Sequence, residues 1–82
     1  MKRYLSRHAK NRMRKFRVDQ DEIRQVLEKP DSVESSIKGR KSAWKKIGNR
    51  CFRVIYVEET LRLIVITVTL KDKLPERSKD EN

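Results

Sequence analysis

Residues 50–70 read RCFRVIYVEETLRLIVITVTL, and this stretch decides the fold. Arg50 to Val57 alternates, with Phe52, Val54 and Tyr56 on one face and Cys51, Arg53, Ile55 and Val57 on the other, the period of two that marks a strand. Glu58–Thr60 reads as a turn. Leu61–Leu70 is almost continuously apolar, which predicts a central strand covered on both sides. Cys51 to Leu70 holds 13 of the chain's 29 hydrophobic residues, so the core forms around this hairpin. Its register depends on the turn. A connection of three or five residues puts Arg53 across from Val65 or Thr67, and a two-residue turn puts it across from Ile66.

Working back toward the N-terminus, Gly48-Asn49 reads as a hairpin turn between Arg50–Val57 and a strand over Ser42–Ile47. Gly39-Arg40 is a further turn after a strand over Ser32–Ile37. Upstream of Pro30 the period becomes helical. Asp19-x-x-Glu22 is a capping box that opens a helix with Ile23, Val26 and Leu27 on its apolar face. Ser6 is placed to cap a preceding helix reaching about Arg17, on which Ala9, Met13 and Phe16 form a narrow apolar stripe beside the polar stripe His8, Arg12, Lys15. With so short a link, the two helices form an αα-hairpin. Lys2–Leu5 reads as an edge strand. The expected fold is α+β, a two-helix hairpin packed on a three- to four-stranded antiparallel sheet in the order β-α-α-β-β-β. Residues 1–70 make one domain, and 71–82 are a polar, flexible tail.

At 82 residues, a single domain buries only about 60 % of the surface of its unfolded chain, which excludes a dinucleotide-binding fold or a barrel enzyme. Function must sit on a surface or in a shallow cleft. The formal net charge is +10, and 15 of the 22 basic residues lie in two acid-free blocks, 1–18 and 35–57. Such segregation favours a polyanionic partner, nucleic acid first and an acidic protein second, over a merely solvated surface. One cysteine and one histidine give neither a disulfide nor a zinc-ligand pattern, so no metal or other cofactor is implied. The apolar run 61–70 has half the roughly 20 residues a membrane span needs, and the expected location is the cytoplasm, away from membranes.

Taken together, Ser6-Arg7-His8-Ala9 with Arg12-Met13, Val18 and Asp21-Glu22-Ile23 through Val26-Leu27 to Pro30, Gly48-Asn49-Arg50 with Phe52-Arg53-Val54, and Val65-Ile66-Thr67-Val68 resemble small proteins placed near the RelE/ParE toxins, BrnT-like ribonucleases among them. The likeness covers about residues 5–70. It implies a toxin of a type II toxin-antitoxin module, with a cognate antitoxin as partner. RelE-like members cut mRNA, usually at the ribosome, whereas ParE-like members poison gyrase and cleave nothing. RelE-type toxins also carry functional Arg and Tyr residues on late strands and a C-terminal helix, for which Leu74-Pro75 and the polar tail leave no room here.

Metal-independent RNA cleavage needs a base for the 2′-hydroxyl, cations for the charge gathering on phosphorus and an acid for the leaving oxygen. His8, Arg12 and Arg53 are the catalytic candidates: His8 for proton transfer, Arg53 as a phosphate clamp. The alternative for His8 is a role at the helix start or sheet edge, and for Arg53 cross-strand support. Lys15, Lys41, Lys45, Lys46 and Arg50 are candidate phosphate contacts. Trp44, set among lysines, is either a base-stacking platform or core, and Tyr56 and Thr67 are candidates for orienting the substrate. The rival function is a non-enzymatic binding module, a gyrase inhibitor or RNA-binding accessory protein. Edge strands at 2–5 or 32–37 are open to pairing with a second copy or an antitoxin.

Overall fold

In a computed structural model describing residues 2–75, two helices cover one face of a five-stranded sheet. The chain runs β1 (Lys2–Leu5), α1 (Arg7–Phe16), α2 (Gln20–Glu28), β2 (Ser32–Ser35), a 3₁₀ turn at Ile37–Gly39, β3 (Arg40–Ile47), β4 (Arg50–Glu58) and β5 (Arg62–Lys71). In space the strands lie in the order β1-β5-β4-β3-β2.

Local chemistry sets the helices. Ser6 accepts a hydrogen bond from the Ala9 amide at 3.0 Å, and its hydroxyl donates to the Ile66 carbonyl at 2.8 Å, which pins the start of α1 to β5. Arg17 ends α1 in the left-handed conformation (φ 56°). The Asp19–Glu22 capping box forms in both directions, at 2.8 and 3.0 Å. Arg50 then locks the joint. Its guanidinium donates to the Phe16 and Arg17 carbonyls, both at 3.2 Å, and to Glu22 at 2.5 Å, while lying 4.8 Å from the centre of the Phe52 ring. The orphan carbonyls at the end of α1 are thereby satisfied by a residue of β4.

The core lies between helices and sheet: Ala9 and Met13 of α1, Ile23 and Val26 of α2, and Ala43, Phe52, Val54, Tyr56, Leu63, Val65 and Val68 of the strands. Gly48 (φ 62°) and Asn49 make the two-residue turn between β3 and β4, with Ile47 opposite Arg50. Only Gly48 has positive φ there, which the first position of a type II′ turn requires.

The sheet departs from expectation in four respects. It has five strands and is mixed, because β1 pairs in parallel with β5, Lys2 opposite Arg62 through Leu5 opposite Val65. No hairpin joins these two strands, so turn chemistry never constrained their direction. Second, β5 is covered by helices on one face only. Third, the tail begins later, since Lys71 belongs to β5 and Asp72 offers its carbonyl to the Cys51 thiol at 3.9 Å; residues 76–82 lie outside those described. Fourth, Arg53 faces Thr69. The β4–β5 turn is tight, with Glu59 and Arg62 exchanging backbone hydrogen bonds, and a bulge at Ile66 adds one more step. Tyr56 faces Val65 and Ile55 faces Thr67, so Ile66 has no partner on β4.

Candidate nucleic-acid interface

Strand alternation divides the predicted residues between the two sheet faces. Phe52, Val54 and Tyr56 enter the core, so Cys51, Arg53, Ile55 and Val57 project from the opposite, helix-free face. The register places Trp44 and Thr69 beside Arg53 on that face, Ser42 and Thr67 beside Ile55, and Lys46 and Lys71 on either side of Cys51. Glu34 lies opposite Ser42.

Around Arg53 these side chains form a connected group. The Arg53 Nε and Nη2 each donate to the Ser42 hydroxyl at 3.3 Å. The guanidinium carbon lies 5.1 Å from the Trp44 ring centre, close enough for a cation–π contact. Trp44 in turn donates its indole N–H to Glu34 at 3.1 Å. Trp44 is only 8 % exposed, so its ring supports Arg53 and is closed to stacking by a ligand. It is buried, yet on the face away from the helices, a place neither sequence reading gave it. Ser42, at 3 % exposure, had no signal in the sequence beyond its position in the β3 alternation.

Arg53 makes no ion pair among the described residues. A guanidinium has five N–H groups; two are directed at Ser42, and three remain. The surrounding face is strongly cationic. By the strand registers it carries Lys2, Arg40, Lys46, Arg53, Arg62 and Lys71 against Glu34 and, at the β4–β5 turn, Glu59, which pairs with Arg62. The Thr67 and Thr69 hydroxyl oxygens on this face are buried without a hydrogen-bond partner among the described residues.

The other predicted residues lie elsewhere. His8 is exposed on α1. Arg12 rests over the Phe16 ring at 5.7 Å with its Nε buried and unpartnered, and Lys15 lies over the same ring at 5.7 Å. The structure brings neither His8 nor Arg12 into the group around Arg53, so the N-terminal and mid-chain cations do not converge on the imidazole. Several of the mid-chain cations are engaged in holding the fold. Lys41 pairs with Glu58 at 3.0 Å, which raises its pKa above the ordinary lysine value, and Lys45 donates to the Lys29 carbonyl at 2.8 Å with Asp31 at 3.8 Å. Arg50 is held at the helix joint. Tyr56 lies on the core side, where burial pushes its phenol up from the usual value, so at neutral pH it is protonated and unsuited to act as a base.

Among the described residues, no three His, Cys, Asp or Glu side chains gather as a metal ion would need, and no helix is long and apolar enough to cross a membrane. A family model described as a domain of unknown function, DUF4258, matches residues 5–69, which takes in every element from the end of β1 to nearly the end of β5. No curated protein and no solved structure matches the chain.

Proposed function

The chain belongs to the DUF4258 family, and we propose that its helix-free sheet face is an RNA-binding surface, the working face of a RelE/ParE-like toxin component of a toxin-antitoxin module. One observation carries this reading: Arg53 is held by a neutral hydroxyl and an indole ring, at the middle of a cationic sheet face, with three N–H groups that meet no acceptor among the described residues. An arginine that served only the fold would be expected to meet a carboxylate or carbonyls, as Arg50 does. A guanidinium fork matches two oxygens of one phosphate, and a charge-assisted pair of this kind is about twice as strong as a neutral hydrogen bond.

Lys46 and Lys71 flank Cys51 one row along the same face and extend the cationic track. Each row is two residues along a strand, about 6.6 Å, so the track suits consecutive phosphates of a single strand. This spacing supports docking of a single strand along the face. Cleavage would further require a proton acceptor at the phosphate that Arg53 holds, and His8 is carried on α1, away from it.

The reading is tested by measuring binding of a single-stranded 12-nucleotide RNA at several salt concentrations. With Lys46, Arg53 and Lys71 each neutralising one phosphate, log Kobs should fall by about 2 for every tenfold rise in salt. A flat response sinks the proposal. A translating extract separates docking from cutting: transcripts cut by the wild type and left whole by His8→Ala and Arg53→Ala add a nuclease step, whereas intact transcripts with growth arrest leave a toxin that acts by binding.

A further inference from the structure

Two large apolar side chains stand exposed at one corner of this face. Tyr4 of β1 is 45 % exposed and Leu61, at the tip of the β4–β5 turn, 81 %. With Lys2, Thr60 and Arg62 they line an open hollow of about 540 Å³. Turn positions ordinarily carry Gly, Asn, Asp or Ser, and a leucine there gains nothing from burial within this chain. Tyr4 lies opposite Ile64, whose β4 partner is Val57, so its ring is on the same helix-free face as Arg53. Arg62 lies over one face of the Tyr4 ring, 5.9 Å from its centre, and is tied to Glu59 at 2.6 Å, so a base would stack on the other face.

We propose that Tyr4, with Leu61 beside it, is a nucleobase-stacking subsite for the same single strand whose phosphate Arg53 holds. This inference rests on the RNA-binding reading above and adds what that reading lacks, a contact to bases. A purely electrostatic face would not distinguish a base-bearing strand from any other polyanion. An aromatic ring offered at the rim of a cationic track does so, because every base has a face that stacks on it. Spacing supports one ligand covering both points. From Arg53 to the row of Tyr4 is four residues along β4 and two strand spacings across, about 16 Å in all. At a stacked rise of about 3.4 Å that span takes about five nucleotides, and fewer in an extended strand. The surrounding groups favour this occupant over an apolar protein segment, since Lys2 flanks the hollow, Arg62 lies against the tyrosine with Glu59 as its partner, and no carboxylate is among the described residues that line it.

The test compares a single-stranded 12-nucleotide RNA with an abasic strand of the same length, using wild type, Tyr4→Ala, Tyr4→Phe and Arg53→Ala, with circular dichroism as the control for folding. Tyr4→Ala should weaken binding of the base-bearing strand by about 5- to 150-fold while changing abasic binding less than about twofold. Tyr4→Phe should bind like the wild type. Equal effects of Tyr4→Ala on the two strands, or no effect on either, overturn the stacking subsite and leave the hollow to a protein segment. If Arg53→Ala then still weakens both strands, the RNA-binding face stands without the subsite. If Arg53→Ala is also silent, both readings fall.

Discussion

Replacing Arg53 by alanine should weaken binding of a single-stranded RNA by about 10- to 100-fold and lower the salt slope by about 0.7, one phosphate's worth, while the protein remains folded. The size follows from hydrogen bonds to a charged group, about 1.5–3 kcal/mol in total, made by a side chain that needs no rearrangement before binding. Preorganisation comes from below, where Trp44 supports the guanidinium and Ser42 orients its Nε edge. Arg53→Lys separates charge from shape. A lysine keeps the attraction but loses the fork, so its affinity should fall between those of wild type and alanine. Folding should survive, because Arg53 is half-exposed and its guanidinium donates to a single hydroxyl among the described residues. Wild-type affinity in Arg53→Ala would remove the phosphate clamp.

Phe52→Ala should be the most damaging single change to stability. Phe52 is fully buried, the largest side chain to be so among the described residues, and sits opposite Leu70 under the Arg50 guanidinium. Its removal opens a cavity between helices and sheet and takes away the ring on which Arg50 lies, so the joint between α1 and α2 loses support as well. A Phe-to-Ala change in a core costs about 3–5 kcal/mol, and a small domain is stable by only about 5–15 kcal/mol. The melting temperature should fall by about 12–40 °C, followed by circular dichroism. A drop of only a few degrees would mean that the packing between sheet and helices contributes far less than its burial implies.

Much of the local structure was legible because local chemistry determines it. Ser6 as cap, the Asp19–Glu22 box, the turn at Gly48-Asn49 and the two faces of β4 each depend on residues within a few positions of one another. What escaped depends on distant pairs. No sequence pattern says that Lys2–Leu5 will lie parallel to Arg62–Val65, and a turn set at Thr60-Leu61 together with the unpaired Ile66 moved Arg53 from the expected partners to Thr69. The charge blocks did not show where their cations would lie on the fold. Alternation along β3 sends Lys41 and Lys45 to the core side, where Glu58 and Asp31 hold them, and sends Lys46 to the helix-free side with Arg53. Counting cations along the chain does not resolve that division; only the register does. The same holds for the candidate site. Arg53 was found by residue type, but Trp44 as its support and Ser42 as its acceptor required the pairing of β3 with β4.

The most direct test of a nucleic-acid face on the helix-free side is amide NMR during titration with a short single-stranded RNA. Trp44 supplies a built-in reporter, since its indole N–H is the only one in the chain and is hydrogen-bonded to Glu34 beneath Arg53. The indole signal and the amides of Ser42, Lys46, Arg53, Thr69 and Lys71 should shift together and saturate at the same RNA concentration, while amides of His8 through Lys15 stay in place. Shifts confined to α1 around His8, with the Trp44 indole unmoved, would contradict the account.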